Sequence, residues 1–413
     1  MRLPASALVV GLARSGEAAA LALARRGVRV GGVDRRADLD AGRLTEAGVE
    51  VHLGTEDEEL VETVELVIKS PGVPGEAPLV TRARERGVPV WSELELGYRL
   101  LPGAEFVAVT GTNGKTTTSE WLGLMLGAPV AGNVGRALCE LDGTVAAGSR
   151  VVCEVSSFQL EDVHEFHAHV AVLLNFEPDH LDRHSSLQAY LDAKLRLFEN
   201  QRAGDTAVVP RGFGPVPGGA QRVEFSSGDE LPAEPRIPGE HNRENAAAAT
   251  AVGRALGLDD AAIAEALRTF PGVPHRLELV REAGGVRFVN DSKATNVAAA
   301  LRGLAAYPDP LHLILGGSLK GESFFPLARA VAGHEGVRSV HLVGQASEEL
   351  ARALDAEGVA STRSGDLATA VRDAAAQAEP GDVVLLSPAS ASYDQFANFE
   401  ERGDEFRRLV EAL

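Results

Sequence analysis

The sequence predicts an α/β protein of three domains. Apolar, strand-like runs alternate with Ala-rich helical patterns along most of the chain, which is typical of parallel sheets covered by helices. The chain has 413 residues. One hydrophobic core rarely serves more than about 250 to 300 residues, so several domains are expected. We expect a Rossmann-like N-terminal domain, a central domain with a mostly parallel sheet, and a Rossmann-like α/β C-terminal domain.

The first domain is expected over residues 1–95. Its predicted elements are strands at 8–11, 28–34, 66–70 and 88–91 and a helix at 15–26. The turn from Gly11 to Gly16, with Asp34 ending the next strand, resembles a dinucleotide fingerprint but lacks its full set of glycines. It therefore indicates only a phosphate-containing or nucleotide-like ligand.

The second domain is expected over residues 96–272 and the third over 273–413, with a linker at Pro271–Pro274. Predicted strands of the second are 106–110, 150–155 and 170–175, and its closing helices are 242–256 and 260–269. The Gly- and Pro-rich stretch 210–238, with short β-like pieces such as Gln221–Phe225, predicts loops and a small peripheral sheet. Predicted strands of the third are 286–290, 311–315, 339–343 and 383–386.

Composition excludes several classes of protein. A formal net charge of −19 argues against a general nucleic-acid or anionic-membrane surface. No apolar run approaches the ~18 residues of a membrane span, and the first residues lack a signal-peptide pattern, so we expect a cytoplasmic protein. The two cysteines, Cys139 and Cys153, have no metal-ligand spacing and are expected to be small core residues.

Lysine is scarce, which makes each lysine informative. The chain has five, namely Lys69, Lys115, Lys194, Lys293 and Lys320. Arginine replaces lysine as a generic surface cation but not where a compact ammonium or a primary amine is needed. Most of the five are therefore candidates for function, and Lys69 is the one we expect to be retained by chance.

The strongest motif is a phosphate-binding loop. A strand ending at Thr110 leads into Gly111-Thr112-Asn113-Gly114-Lys115-Thr116-Thr117 and then a helix. Backbone N–H groups of such a turn bind phosphates, with the lysine at the β- and γ-phosphates and the hydroxyl of Thr116 at Mg²⁺. Val109 stands where the strict pattern has glycine, which indicates a particular subfamily of loop. The central domain is thus predicted to be a P-loop ATPase domain.

Candidate metal and nucleotide ligands follow the later strands of this domain. Glu154 ends a strand beside the loop, where a carboxylate could hold Mg²⁺, or it is a partly exposed strand-end acid. His180 lies in a run of hard ligands after the next strand, although by itself it could equally be a helix cap or a surface residue. Lys194 lies on an amphipathic helix, where a solvated lysine is the ordinary interpretation. Asn242 could reach a nucleotide or serve as a helix N-cap.

Three polar loops follow strands of the third domain, at 290–296, 316–321 and 387–396. Ligands of open parallel sheets bind at the carboxyl ends of the strands. Two of these loops carry a rare lysine, Lys293 or Lys320. Together they predict an anion-binding site.

These motifs resemble the Mur ligase family over essentially the whole chain. The resemblance is carried by Ser15-Gly16, Asp34-Arg35-Arg36, the string EVSSFQL at 154–160, Pro274-His275-Arg276, NDSKATN at 290–296 and SYDQFANFE at 392–400. It implies a UDP-binding domain, a central ATPase domain and a C-terminal domain that brings the amino acid and closes the site. The implied reaction is ATP-dependent addition of D-glutamate to UDP-N-acetylmuramoyl-L-alanine through an acyl phosphate, in peptidoglycan synthesis.

The resemblance also implies roles for individual residues. The UDP-substrate would contact Ser15, Asp34, Arg36, Gly72, Asn133, Ser156, Gln159 and His180. ATP would contact the loop residues 111–117 together with Asn242, Asn245, Arg276 and Asp291. Mg²⁺, at two sites, would be held by Thr116, Glu154, His180 and Lys194, the last as a carbamate. D-glutamate would contact Lys293, Thr295, Lys320, Ser392 and Phe399. The catalytic group would be Lys115, Glu154, His180 and Lys194.

Some alternatives remain open at this point. An acid that the family often has near the 316–321 loop is absent, since Ser318-Leu319 precede Lys320. The chain could be another amide ligase of this architecture, including a folylpolyglutamate type, a nucleotide-sensing protein, or an NAD-dependent oxidoreductase. A monomer without nucleic-acid or membrane partners is expected.

Overall fold

The first of three sheets is formed by five parallel strands in the order β3-β2-β1-β4-β5. The structure is a computed structural model, and it describes residues 3–179, 183–319 and 321–413. The strands are β1 (Ser6–Val10), β2 (Arg29–Asp34), β3 (Glu50–Leu53), β4 (Leu66–Lys69) and β5 (Val90–Ser92). The accompanying helices are α1 (Arg14–Arg25), α2 (Gly42–Glu46), α3 (Pro78–Glu85) and α4 (Glu93–Leu100), with a 3₁₀ helix at Glu58–Thr63. β1 and β4 are buried along their whole length, as expected for central strands with helices on both faces.

The second sheet has six parallel strands in the order β11-β10-β9-β6-β8-β7. They are β6 (Glu105–Thr110), β7 (Val130–Gly132), β8 (Arg150–Glu154), β9 (Val170–Leu173), β10 (Thr206–Pro210) and β11 (Gln221–Phe225). The helices are α5 (Lys115–Leu126), α6 (Ser157–Leu160), α7 (Leu187–Glu199), α8 (Glu240–Ala255) and α9 (Asp260–Thr269), with a 3₁₀ helix at Leu138–Leu141. The strand predicted at Gln221–Phe225 is confirmed as β11. The prediction that it belongs to a small peripheral sheet was wrong, because β11 extends the main sheet by pairing in parallel with β10.

The third sheet is mixed, with strand order β12-β13-β17-β14-β15-β16. Its strands are β12 (Glu278–Ala283), β13 (Val286–Asn290), β14 (Leu311–Gly316), β15 (Val337–Val343), β16 (Thr362–Gly365) and β17 (Val383–Leu386). The helices are α10 (Val297–Ala305), α11 (Phe325–Ala332), α12 (Ser347–Ala356), α13 (Leu367–Gln377) and α14 (Phe399–Glu411). β12 pairs antiparallel with β13 across the turn at Gly284-Gly285, and the other pairings are parallel. The α/β fold class is confirmed.

The chain forms two compact units. One contains the residues up to 236 together with 240–270, and therefore both the first and the second sheet. The other contains 237–239 and 271–413, and therefore the third sheet. A division of the first unit near residue 95 stays a prediction. Both cysteines are buried core residues. Within the described residues, no helix is both long enough and apolar enough to cross a membrane.

Candidate active site

The predicted phosphate loop lies between β6 and α5. Gly114 has a φ of 81°, a left-handed conformation that side chains disfavour. A Cβ at Gly114 would lie 2.2 Å from Asn245 Oδ1, so contact as well as backbone angle requires glycine here. The amide groups at the start of α5 follow directly, which is the arrangement that binds phosphate oxygens.

Two of the rare lysines converge on one carbonyl of this loop. Lys115 Nζ donates to Gly111 O at 2.9 Å and to Thr112 O at 3.0 Å. Lys194, which is 1 % exposed, also donates to Gly111 O at 2.9 Å, and its Nζ lies 4.4 Å from the centre of the Tyr190 ring. Burial, together with the positive charge of Lys115, lowers the pKa of Lys194 to about 7. Lys194 is therefore not the solvated helix lysine that its helix pattern suggested.

Asn175 holds the phosphate loop in place; sequence reasoning placed it at the start of the polar run after the strand but gave it no individual role. Its Oδ1 accepts a hydrogen bond from Asn113 N at 2.8 Å, and its backbone oxygen accepts one from Thr112 N at 3.2 Å. A second contact joins Asn113 Nδ2 to Glu177 Oε2 at 2.9 Å. The signal was available, because Asn175 follows β9, and β9 neighbours the strand from which the loop leaves.

Glu154 is buried at the end of β8, opposite Val109 of β6 in the sheet register. The alternative of a partly exposed strand-end acid was therefore wrong. Its Oε1 accepts a hydrogen bond from Asn133 Nδ2 at 3.0 Å, so a predicted metal ligand and a predicted UDP-substrate residue are in direct contact. Thr116 is buried in the first turn of α5. Thr116 and Glu154 offer the hard oxygen ligands that Mg²⁺ prefers.

A cavity of about 460 Å³ lies at the carboxyl ends of the first sheet. Five of the predicted UDP-substrate residues line it: Ser15, Asp34, Arg36, Gly72 and Asn133. Asp34 accepts hydrogen bonds from the amides of Leu12 at 2.8 Å and Arg36 at 2.9 Å. Burial alone would raise the pKa of Asp34, but these hydrogen bonds and the Arg36 guanidinium outweigh it and lower the pKa.

Ser156 and Gln159 do not line that cavity; they form the capping box of α6. Ser156 N donates to Gln159 Oε1 at 3.0 Å, and Ser156 Oγ accepts from Gln159 N at 3.3 Å. The Nε2 group of Gln159 is buried and has no hydrogen-bond partner among the described atoms. A buried donor of this kind is costly unless something outside the described chain satisfies it.

Asn242 and Asn245 are buried on the first turns of α8. The N-cap interpretation of Asn242 was wrong, because α8 begins at Glu240. Their side chains approach each other, with Asn245 Nδ2 at 3.5 Å from Asn242 Oδ1. Asn245 also lies against the phosphate loop at Gly114. The role of Asn242 at a nucleotide stays a prediction.

In the second unit, Arg276 lies between two residues with positive φ, His275 at 62° and Leu277 at 44°. Asp291 accepts hydrogen bonds from Ser387 Oγ at 2.8 Å and from Leu277 N at 3.3 Å. Burial raises the pKa of Asp291 to about 7, although the Ser387 hydrogen bond and the charge of Arg276 oppose the shift.

Of the predicted D-glutamate residues, Lys293 and Thr295 lie on the loop after β13, Ser392 lies on the loop after the neighbouring strand β17, and Phe399 begins α14. Lys293 Nζ lies 5.7 Å from the centre of the Phe399 ring. Ser392 is buried, and Thr295 is half-buried beside Lys293. Arg402, to which sequence reasoning gave no role, donates to Ser292 O at 2.8 Å and to Ser390 O and Ala391 O at 3.1 Å each, and thereby ties two of the loops together.

Two predicted site residues, His180 and Lys320, lie outside the described residues. Among the residues that are described, no group of three or more His, Cys, Asp or Glu side chains is arranged to hold a metal ion. Lys69, which we expected to be a chance retention, is fully buried, and its ammonium pairs with Glu161 and Asp162.

Comparison with known proteins identifies the class. Family models match three segments: the Mur ligase MurD-like N-terminal domain at residues 5–92, the Mur ligase middle domain at 109–212, and the Mur ligase glutamate ligase domain at 275–390. The solved structure of UDP-N-acetylmuramate-alanine ligase MurC from Thermotoga maritima aligns with a TM-score of 0.59 over 98 % of this chain and 99 % of that one, at 20 % identity. MurF ligase from the same organism aligns with a TM-score of 0.58 over 94 % and 90 %, at 18 % identity. The fold is thus that of the Mur ligases.

Curated relatives narrow the class. The UDP-N-acetylmuramoylalanine--D-glutamate ligases of Anaeromyxobacter dehalogenans and Geobacter metallireducens are each 43 % identical to this chain. The alignments cover 97 % and 98 % of this chain and 96 % and 97 % of those proteins. The corresponding ligase of Geobacillus kaustophilus is 40 % identical, over 98 % of this chain and 97 % of its own. The chain belongs to the UDP-N-acetylmuramoylalanine--D-glutamate ligase family.

Proposed function

We propose that this protein joins D-glutamate to UDP-N-acetylmuramoyl-L-alanine at the expense of ATP, as a step of peptidoglycan synthesis. The observation that carries the proposal is the phosphate loop at Gly111–Thr116 and the cavity at Ser15, Asp34 and Arg36 within one compact unit. The name shared by relatives that align along nearly the whole chain supports the choice of substrates.

The cavity at the first sheet binds the UDP part of the substrate. Its 460 Å³ fall within the range of small-molecule sites, about 300 to 1,000 Å³. The exposed guanidinium of Arg36 supplies positive charge for the diphosphate, and its orientation is supported by Asp34 at 3.3 Å. Asn133 extends the site toward Glu154. Ser156 and Gln159, at the start of α6, are proposed contacts of the muramoyl part, as the family resemblance implies.

In the first chemical step, an oxygen of the L-alanyl carboxylate attacks the γ-phosphorus of ATP, and the bond between that phosphorus and ADP breaks. The products are an acyl phosphate and ADP. Loop amides at 111–117 and the Lys115 ammonium hold the phosphates and stabilise the charge that builds up in the transition state. When phosphates are present, Lys115 exchanges its hydrogen bonds to Gly111 and Thr112 for phosphate oxygens.

When bound, Mg²⁺ would neutralise part of the negative charge of the phosphates. The buried oxygen donors Thr116 and Glu154 fit this ion, because they follow neighbouring strands at the loop. His180 and a carbamate on Lys194 complete the proposed ligands of two magnesium sites. Asn242 and Asn245 are proposed to contact the nucleotide, and the family resemblance implies the same role for Arg276 and Asp291.

Lys194 is suited to carbamate formation. A neutral amine attacks CO₂, forms a C–N bond and releases one proton, whereas a protonated amine has no lone pair for this reaction. Because burial and Lys115 lower the pKa of Lys194 to about 7, a large fraction of the amine is neutral near pH 7. The resulting anion would sit beside the positive charge of Lys115, which favours it.

In the second chemical step, the amine of D-glutamate attacks the carbonyl carbon of the acyl phosphate. A tetrahedral intermediate forms, and phosphate leaves as the amide bond is completed and the amine loses a proton. Lys293, Thr295, Lys320, Ser392 and Phe399 bind the amino acid, with lysine charge facing its two carboxylates. We further propose that the protein acts as a cytoplasmic monomer without nucleic-acid or membrane partners.

The test is substrate-dependent ADP formation with a panel of amino acids. Purified protein is supplied with ATP, Mg²⁺ and UDP-N-acetylmuramoyl-L-alanine, and D-glutamate, L-glutamate, L-alanine or meso-diaminopimelate is added. The proposal requires ADP and a new amide with D-glutamate alone. Turnover with another amino acid, or with a folate in place of the UDP-sugar, would assign a different ligase, and a nicotinamide absorbance change would assign an oxidoreductase.

A further inference from the structure

Lys69 is a fully buried cation at the end of β4. Its Nζ donates a hydrogen bond to Glu161 Oε2 at 2.8 Å. It also lies 2.8 Å from Asp162 Oδ2, an ion pair without hydrogen-bond geometry. A buried ammonium loses its hydration, so it persists only where partners compensate for the loss. A solvent-exposed lysine keeps its hydration and needs no such partners.

On one side, Lys69 adjoins the wall of the UDP cavity. The next residues, Ser70-Pro71-Gly72, all line that cavity. Ser70 is itself fixed, because its Oγ donates to Gly11 O at 2.6 Å and its amide donates to Val10 O at 3.0 Å. A shift of the Lys69 backbone would therefore move this wall.

On the other side, the ion pair reaches α6. Glu161 directly follows α6, and its Oε1 lies 3.6 Å from His184 Nδ1. His184 Nε2 lies 2.9 Å from Ser157 Oγ, and its ring stacks on Phe158 with 5.2 Å between centroids. The helix whose cap is Ser156 and Gln159 is thus connected through Glu161 to Lys69.

The charges of this junction depend on Lys69. Glu161 and Asp162 are adjacent acids, and Arg84 pairs with Asp162 at 2.8 Å. Without the Lys69 ammonium, Glu161 would lose its 2.8 Å partner, and the ion pairs that join the end of β4 to the segment after α6 would be gone. Removing one partner of a buried ion pair leaves the other charge poorly compensated, so the segment after α6 would shift relative to the cavity wall.

We propose that Lys69 is a positioning residue for the UDP-sugar. Its ion pair with Glu161 and Asp162 sets the spacing between the Ser70–Gly72 wall and α6, so that the carboxylate of the bound substrate reaches the phosphate loop. This inference rests on the proposed function. It adds a residue that contacts neither the UDP-sugar nor ATP. A displacement of about 1 Å at a remote point of support can cost on the order of 10² in rate.

The test compares Lys69→Met and Glu161→Gln with Arg82→Met as the matched control. Arg82 pairs with Glu62 on the same part of the chain, away from this junction. In Lys69→Met, kcat/KM for the UDP-sugar should fall on the order of 10², while the KM for ATP stays at the wild-type value, because the loop contacts are intact. Arg82→Met should match the wild type in both constants.

A purely structural lysine would give a different result. Wild-type kcat/KM for the UDP-sugar in folded Lys69→Met, or an equal rise of both KM values, overturns the proposal. If Lys69→Met fails to fold by circular dichroism, Glu161→Gln decides, with a selective loss for the UDP-sugar supporting the proposal and wild-type constants overturning it. If the wild type forms no ADP with the UDP-sugar, the proposed function fails, and calorimetric binding of UDP to the same variants still reports whether the wall has moved.

Discussion

Lys115 and Lys194 donate hydrogen bonds to the same carbonyl oxygen, that of Gly111, each at 2.9 Å. Burial, together with the positive charge of Lys115, lowers the pKa of Lys194 to about 7. A fraction of the Lys194 amine is therefore neutral near pH 7. The first two predictions concern these two lysines.

The first prediction concerns CO₂. Lys194→Ala should lose activity, and short-chain carboxylic acids should restore part of it by filling the place of the carbamate. Wild-type activity should fall in bicarbonate-depleted buffer and return when bicarbonate is added. The measurement is ADP release, and Lys115→Ala is the control, because a carboxylate cannot replace its cation. Full wild-type activity after exhaustive CO₂ removal would count against the carbamate.

The second prediction concerns the phosphate contact. Lys115→Ala should lower turnover on the order of 10² or more, since it removes a charge that is preorganised for the transition state. Its thermal unfolding should stay close to that of the wild type, because Lys115 is only half-buried and its present acceptors are loop carbonyls. Near-normal ADP release from Lys115→Ala would contradict the placement of ATP at this loop.

The third prediction concerns pH and Glu93. Burial raises the pKa of Glu93 from 4.5 to about 7, although Cys139 N donates to it at 2.7 Å. The folded protein keeps this proton up to about pH 7, whereas the unfolded chain releases it near 4.5. Stability from this group is therefore present below pH 4.5 and is lost as pH rises to 7, by about 3 kcal/mol in total.

Glu93→Gln has no titrating group at this position, so it should lack the pH-dependent loss of stability that Glu93 causes. The free energy of unfolding of Glu93→Gln, measured by urea titration, should therefore decline less between pH 5 and 7 than that of the wild type. The exposed substitution Glu46→Gln should reproduce the wild-type profile. Parallel profiles for Glu93→Gln and the wild type would show that Glu93 is ionised in the folded protein.

The fourth prediction concerns Arg402. Its guanidinium donates to Ser292 O, Ser390 O and Ala391 O. Ala391 O keeps a second donor, Ser318 N at 2.8 Å, so Arg402→Met removes the side-chain donor of the Ser292 and Ser390 carbonyls, at a cost of about 1–3 kcal/mol each. The loops that carry Lys293 and Ser392 should loosen. KM for D-glutamate should rise while KM for ATP changes little, and the exposed Arg408→Met is the control. An unchanged KM for D-glutamate in folded Arg402→Met would refute this role.

Local patterns predicted most of the fold. Strands such as Val286–Asn290 and Val383–Leu386 and the helix Asp260–Thr269 were predicted with the observed bounds, because apolar runs and caps determine them locally. The short strand Val130–Gly132 and the antiparallel strand Glu278–Ala283 were missed. Both carry little apolar periodicity. Val130–Gly132 forms by pairing with β8, about 20 residues further along the chain, whereas Glu278–Ala283 forms a hairpin with β13 across the Gly284-Gly285 turn.

Site residues could be predicted from the sequence only where the residue type itself indicates the chemistry. The glycines and Lys115 of the phosphate loop signal a ligand by themselves. Lys69 and Arg402 gave no such signal, since their importance depends on partners 92 and 110 positions away, Glu161 and Ser292. Asn175 resembled an ordinary residue after a strand until the neighbouring strand order placed it under the loop.

The central claim is that ATP activates the carboxylate of the UDP-sugar as an acyl phosphate. The most direct measurement labels that carboxylate with ¹⁸O, runs the reaction with ATP, Mg²⁺ and D-glutamate, and analyses the released phosphate by mass spectrometry. Attack by the carboxylate on the γ-phosphorus predicts one ¹⁸O atom in each phosphate. Phosphate without label, formed while the amide accumulates, would contradict the account.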